Sequence, residues 1–150
     1  MKQVHQIFTL LLFLSLPLLS SAQSKATTPL EGAWYLMEGT YNGKTKKAEK
    51  PFQFKIFTNK HYAYLMQSEA GAWNQGMAGS YKMKDNTYIE SCEFSSIPAQ
   101  VGTSAEWKYS FKGDQLIIEG PIRIMNADGS DNIAFAGFLN TIREVRVRAE

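Results

Sequence analysis

The chain has 150 residues, with 16 lysines and arginines against 14 aspartates and glutamates, so its formal net charge is +2. This near-neutral balance argues against nucleic acid as a partner, because nucleic-acid-binding domains carry a strongly basic surface. Cys92 is the only cysteine and the chain has two histidines, so no internal disulfide and no zinc-binding spacing is possible. We therefore predict neither a metal nor a cofactor.

The first 22 residues are typical of a secretory signal. Lys2 gives a basic start, residues 7–19 are almost wholly apolar, and the small residues 20–22 precede Gln23. The apolar run is shorter than the roughly 20 residues that a membrane-spanning helix needs, and no cysteine is placed to carry a lipid anchor. We expect cleavage after Ala22 and a periplasmic or secreted protein of a Gram-negative bacterium, without a membrane anchor.

After a short polar leader at residues 23–29, residues 30–150 are predicted to form one domain of short strands. Apolar and polar side chains alternate with a period of two almost throughout, and Asn42-Gly43 is a strong hairpin signal. The clearest half-buried strand alternates Trp107, Tyr109 and Phe111 with polar residues. About eight strands with short turns and no long helix predict an all-β fold, a single antiparallel up-and-down β-barrel.

Two further runs have aligned side chains, and three stretches interrupt the alternation. One run places its apolar residues on a single face: Phe52, Phe54 and Ile56. The next aligns Tyr62, Tyr64 and Met66. The interruptions lie at residues 68–75, 95–103 and 126–138. Long loops at the mouth of a barrel usually control access to its cavity. We therefore expect these three stretches to lie at the barrel mouth.

The string Gly32-Ala33-Trp34 opens the first strand and resembles the Gly-x-Trp of lipocalins. From Leu30 to Val147 the chain is similar to secreted bacterial lipocalin-like proteins, a calycin-type family of unknown function. The strings that carry this similarity are residues 57–62, 79–81, 86–90, 101–102, 112–116 and 143–145. The resemblance implies a lipocalin-like barrel and no known reaction.

In lipocalins the tryptophan closes one end of the barrel, and an arginine from the last strand lies across its ring. The resemblance therefore implies that Gly32, Trp34 and Arg143 form a structural closure, with a cation–π contact between the last two. Arg143 has the same parity as Val145 and Val147, which we assign to the inward face of the last strand. The intervening charged side chains are expected to point outward: Glu144, Arg146 and Arg148.

The aromatic side chains of the predicted strands either line a cavity or fill a narrow barrel, and alternation alone does not separate these cases. Glu90 follows Tyr88 by two residues and lies inside if Tyr88 does; the alternative is a solvent-facing carboxylate. A buried carboxylate is costly unless it is paired, so an inward Glu90 indicates a ligand or a partner such as His61. The predicted ligand contacts are Tyr62, Tyr64, Tyr81, Glu90, Trp107 and Tyr109.

Three functions stay open on these residues. The leading hypothesis is binding of a small, partly apolar molecule inside the barrel. The second is an enzyme that uses His61 and Glu90 as an acid–base pair, although no nucleophile elbow or phosphate-binding glycine loop is present. The third is a filled barrel that binds a protein partner through the loops around Trp73 and Phe135. Only the first two require a cavity.

Overall fold

The computed structural model describes residues 28–68 and 70–149. The signal predicted at residues 1–22, and most of the leader after it, lie outside the described residues. The strands of the described part are β1 (Gly32–Tyr41), β2 (Lys44–Lys47), β3 (Gln53–Phe57), β4 (His61–Gln67), β5 (Trp73–Lys84), β6 (Thr87–Ser95), β7 (Ser104–Lys112), β8 (Gln115–Met125) and β9 (Ile142–Arg148). Two short 3-10 helices are present as well, Pro98–Gln100 and Ile133–Phe138.

The strands form one closed antiparallel barrel. From β3 to β9 each strand pairs with the next, and β1 pairs with both β3 and β9, which closes the sheet. The short β2 is an extra strand that pairs only with residues 38–41 of β1. The predicted all-β, up-and-down barrel of about eight strands is therefore confirmed. The predicted turn at Asn42-Gly43 joins β1 to β2, and both of its residues have positive φ, as a tight hairpin turn requires.

The two ends of the barrel differ in their connections. At one end the turns are tight: Asp85 and Asn86 join β5 to β6, and Gly113 and Asp114 join β7 to β8. We call this the closed end. At the other end, the open end, the longer connections from β6 to β7 and from β8 to β9 carry the two 3-10 helices. The second of these helices is capped by Asn132, whose side chain accepts a hydrogen bond from the Phe135 amide at 3.3 Å.

A mainly aromatic core fills the closed end. Phe57 makes edge-to-face contacts with Tyr81 and Tyr88, with ring centroids 5.2 and 5.7 Å apart. The indole of Trp34 donates a hydrogen bond to the Leu30 carbonyl at 2.8 Å, so its buried polar atom is satisfied. The cluster comprises Leu30, Trp34, Phe57, Tyr62, Tyr81, Tyr88, Leu116 and Ile118.

Arg148, and not Arg143, covers the ring of Trp34. The guanidinium carbon of Arg148 lies 4.5 Å from the Trp34 ring centroid. The reason is register: Trp34 pairs directly with Arg148 across β1 and β9, so both side chains project from the same face. Gly32 adjoins this contact, since a Cβ there would meet the Arg148 guanidinium. Arg143 instead forms ion pairs on the outer surface, with Glu38 at 3.3 Å and Glu119 at 3.5 Å.

The inward face of β9 is therefore the reverse of the predicted one. Glu144 and Arg146 point into the barrel and are buried, whereas Arg143, Val145 and Val147 alternate with them on the other face. The apolar side chains of β9 were predicted to be inside, but Glu144 and Arg146 lie there instead.

A charged side chain also points inward in β3. Phe54 and Ile56 share a face, as predicted, and it is the outer one: Ile56 is exposed and Phe54 packs on the ring of Tyr35 at 5.2 Å. Phe52, predicted on the same face, lines the cavity instead. The inward side chains of this strand are those of Gln53, Lys55 and Phe57. These two strands thus bring polar and charged groups into the barrel interior, and β6 adds Glu90.

Candidate functional site

The open half of the barrel encloses a cavity of about 430 Å³, a size typical of small-molecule sites. The aromatic cluster of the closed end lies beneath it, and the loops of the open end surround its mouth. Four charged side chains lie deep in it: Lys55, Glu90, Glu144 and Arg146. Its upper wall is largely apolar and includes Met66, Met77, Ile124, Phe135, Phe138 and Ile142. The barrel is therefore hollow in this half and packed in the other.

Four of the six predicted ligand contacts line this cavity, namely Tyr62, Tyr64, Glu90 and Trp107. The other two lie deeper, among the packed rings of the closed end. Tyr81 is buried against Phe57 and its hydroxyl donates to the Thr58 carbonyl at 2.6 Å. Tyr109 packs edge-to-face on Tyr88 at 6.3 Å. Periodicity identifies the inward face of a strand, but it does not give the depth at which the packed core ends.

Lys55 and Glu90 form an ion pair deep in the cavity, with exposed fractions of 6% and 5% for their side chains. The Lys55 ammonium lies 5.2 to 5.9 Å from the centroids of five aromatic rings, those of Phe57, Tyr62, Tyr64, Tyr88 and Trp107. Such ring faces attract a cation, so they stabilise the ammonium in this buried place. Burial raises the pKa of Glu90 above its ordinary value, and the opposing effect of Lys55 only partly offsets it.

His61 is not the partner of Glu90. It begins β4 near the closed end with an exposed side chain, whereas Glu90 is inside and faces Lys55. The predicted acid–base pair is therefore not formed, because His61 and its inward neighbour Tyr62 project to opposite sides of the strand. Of the two positions left open for Glu90, the inward one beside Tyr88 is the one observed.

Glu144 and Arg146 form the second internal ion pair, two residues apart on β9. The Arg146 Nε and Nη2 donate to Glu144 Oε2 at 2.9 and 2.8 Å, and Nη2 also donates to the side-chain oxygen of Gln53. The Tyr41 hydroxyl donates to the other oxygen of Glu144 at 3.3 Å. Burial raises the pKa of Glu144, but Arg146, Lys55 and these hydrogen bonds outweigh it, so the pKa lies below its ordinary value. Glu144 is thus an ionised carboxylate.

Five buried side-chain polar atoms have no hydrogen-bond partner within residues 28–68 and 70–149; one is the Tyr88 hydroxyl in the packed cluster, and another is Glu90 Oε1, which contacts the Lys55 ammonium in the ion pair.

The other three atoms lie at the cavity and have neither a hydrogen-bond nor an ion-pair partner among the described residues. They are the Tyr62 hydroxyl, Trp107 Nε1 and Arg146 Nη1. The Tyr64 hydroxyl differs, since it accepts a hydrogen bond from the Gln75 side chain at 2.8 Å. Burial raises the pKa of Tyr62, so its hydroxyl keeps its proton. An unpartnered buried donor is unfavourable in a closed core, and these atoms mark where a ligand finds polar contacts.

The mouth of the cavity is surrounded by exposed apolar side chains. Trp73, at the start of β5, is 64% exposed, and Phe94, at the end of β6, is 69% exposed. Phe135 lines the cavity and its ring lies 6.1 Å from that of Phe138. The two aromatic residues singled out in the loops thus have different positions, since Trp73 faces solvent and Phe135 faces the interior.

Sequence reasoning missed Lys55, Glu144 and Arg146, together with Gln53. Glu144 and Arg146 were predicted to point outward, and no inward face was predicted for β3, which carries Gln53 and Lys55. Glu144 and Arg146 carry opposite charges two residues apart, which in a strand places them side by side on one face. Two such side chains can form an ion pair with each other, and charged side chains are buried in protein interiors only when they are paired.

Neither a metal centre nor a membrane helix was found in the part of the chain that the structure describes. No group of three or more histidine, cysteine, aspartate or glutamate side chains there is arranged to hold a metal ion. No helix there has the length and apolar character needed to cross a bilayer. Cys92 is a free thiol at the cavity wall, and burial raises its pKa.

The comparisons with known proteins bear on the fold and the family. A lipocalin-like protein from Bacteroides uniformis has a similar structure, with a TM-score of 0.53, 13% identity, and coverage of 80% of this chain and 98% of that one. An uncharacterized protein from Bacteroides eggerthii is similar at a TM-score of 0.52 and 14% identity, covering 80% and 99%. No curated protein matches the chain. The family described as Domain of unknown function (DUF4488) matches residues 29–130, and the chain belongs to that family, with a lipocalin-like fold.

Proposed function

We propose that this protein binds a small, partly apolar molecule inside the open half of its barrel. The observation that carries the proposal is the cavity of about 430 Å³, with two ion pairs at its base and an apolar wall toward the mouth. Binding sites for small molecules are mostly apolar with a few placed polar groups, and this cavity has both. A barrel whose only task was stability would fill this space with side chains.

The contacts of the ligand follow from the lining. Tyr62, Tyr64, Glu90 and Trp107 surround the base, next to Lys55. Tyr81 and Tyr109 are excluded from the proposed contacts, because they are packed in the closed end. The role of the polar groups is to fix the orientation of the bound molecule, while the apolar wall contributes most of the buried area.

The test is mass spectrometry of small molecules that co-purify with the protein from its native host. Ala105 lines the cavity next to Trp107, so Ala105→Phe and the smaller change Ala105→Leu both reduce its volume. Ala63→Phe is the matched control, because Ala63 projects from the outer side of β4 between two inward tyrosines. We expect one molecule to be enriched with the wild type and the control and depleted in both Ala105 variants. Circular dichroism checks that all four proteins are folded. Recovery of the same amount of the molecule from each of them would contradict the proposal.

We also propose that the protein works outside the cytoplasm, on the evidence of the basic start, apolar run and small-residue site in residues 1–22. Amino-terminal sequencing of the protein from its native host should find Gln23 at or near the start. A cytoplasmic protein that retains Met1 would contradict export.

A further inference from the structure

The polar groups deep in the cavity differ in whether their hydrogen-bonding capacity is used. The carboxylates of Glu90 and Glu144 face Lys55 and Arg146, and Glu144 also accepts from Tyr41. Glu90 Oε1 forms no hydrogen bond with the described residues, but it contacts the Lys55 ammonium, so each carboxylate is engaged by a cation.

The cavity-lining polar atoms that have neither a hydrogen bond nor an ion-pair contact among the described residues are all donors. Trp107 Nε1 and Arg146 Nη1 only donate, and the Tyr62 hydroxyl has a proton to donate. Arg146 is 1% exposed and Tyr62 is 3% exposed, so bulk solvent does not reach these groups freely. A molecule that satisfies them must supply hydrogen-bond acceptors.

The charges deep in the cavity balance. Lys55 and Arg146 offset Glu90 and Glu144, and no other charged side chain of the described residues lines the cavity. A ligand that brought a further charge to this place would leave it uncompensated in a region of low dielectric constant, which is strongly unfavourable. The two ion pairs therefore select against a charged group at the buried end of the ligand.

From the three unpartnered donors and the balanced charges, we infer that the ligand is uncharged at its buried end and carries a hydrogen-bond acceptor there, such as a carbonyl or ether oxygen. The remainder of the ligand is apolar and lies along Met66, Met77, Ile124 and Phe135 toward the mouth. This inference rests on the proposed function and adds to it the chemical class of the ligand. It distinguishes the site from one that captures a carboxylate with an unpaired arginine, because Arg146 is already neutralised by Glu144.

The test compares three probes of similar length: nonan-2-one, octanoate and octylammonium. The ketone and the carboxylate differ only by a methyl group in place of a charged oxygen. Dissociation constants are measured by calorimetry at pH 7 on the full mature chain. We expect nonan-2-one to bind at least about tenfold more tightly than either charged probe, because only the charged probes add an uncompensated buried charge.

Two variants examine the donors individually. Trp107→Phe and Tyr62→Phe each remove one donor and keep an aromatic ring, and each should weaken the binding of nonan-2-one by about threefold to tenfold. Tyr109→Phe is the matched control, because it removes a hydroxyl that donates to the Asp85 carbonyl outside the cavity. It should leave the affinity for the ketone unchanged.

The outcomes separate this inference from the proposed function. Binding of octanoate or octylammonium as tightly as the ketone would overturn the inference and leave the proposed function standing. Ketone affinity unaffected by both donor variants would overturn the inference in the same way. Failure of all three probes to bind at millimolar concentration would overturn the inference, and the co-purification experiment would then decide the proposed function separately.

Discussion

The closed end and the open half of this barrel use the same kind of strands for opposite purposes. At the closed end, Trp34, Phe57, Tyr81 and Tyr88 fill the interior, and their polar atoms mostly have local partners. In the open half, the interior contains two ion pairs, a cavity and unpartnered donors. Burying ion pairs adds little net stability, and a cavity subtracts from it. The closed end therefore contributes most of the stability of the fold, and the open half is available for binding.

The largest expected effect tests the closed end. Trp34→Ala removes a buried ring from its centre and should lower the free energy of unfolding by about 3–5 kcal/mol, because it creates a large cavity and removes the surface that Arg148 covers. Trp73→Ala removes the same side chain where it is exposed and should change stability by about 0.5 kcal/mol or less. Urea denaturation measures both. A similar loss of unfolding free energy in the two variants would contradict the claim that the closed end stabilises the fold.

The second prediction concerns the Lys55–Glu90 pair. Lys55→Met leaves Glu90 buried without its cation and should lower stability by about 3 kcal/mol at pH 7. Lys82→Met, on an exposed part of β5, is the control and should have little effect.

The loss in Lys55→Met should also depend on pH. Burial already raises the pKa of Glu90, and removal of Lys55 raises it further. A carboxyl whose pKa is higher in the folded than in the unfolded protein stabilises the fold when it is protonated. This contribution is fully present below the unfolded pKa, about 4.3 for glutamate, and is lost as the pH rises through the folded pKa. The deficit relative to wild type should therefore be smaller at pH 4 than at pH 7. A deficit that is the same at both would show that Glu90 does not take up the proton.

The third prediction separates the two arginines near the ends of β9. Arg148→Ala removes the group that covers Trp34 and should lower stability by about 1 kcal/mol. Arg143→Ala removes only half-exposed surface ion pairs and should cost less, about 0.5 kcal/mol. The measurement is the thermal unfolding of the two variants and the wild type under the same conditions. A greater loss for Arg143→Ala would contradict the assignment of Arg148 as the closing residue.

Much of the fold could be predicted from the sequence. The barrel, the hairpin at Asn42-Gly43 and the inward faces of β4 and β7 follow from alternation, because in those strands the aromatic side chains point inward. Gly32 and Trp34 also lie where the resemblance places them. These features depend on local pattern, which one sequence contains.

The candidate site was predicted only in part, for a physical reason. Alternation identifies which residues share a face, and hydrophobicity then decides which face is inside. In β3 and β9 this rule fails, because Lys55 and Arg146 are buried with carboxylates that neutralise them. The partner of Lys55 lies on β6, far away in the sequence, so the pair that makes burial possible is visible only in the folded chain. Strands that break the local pattern are where a binding site is expected.

The most direct test of the central claim is a crystal structure of the protein bound to the molecule that co-purifies with it. We expect that molecule inside the cavity, in contact with Tyr64 and Trp107 and above the Lys55–Glu90 pair, with the closed end unchanged. A molecule bound on the outer surface, or a cavity filled by the side chains that line it, would contradict the claim that the open half is a binding chamber.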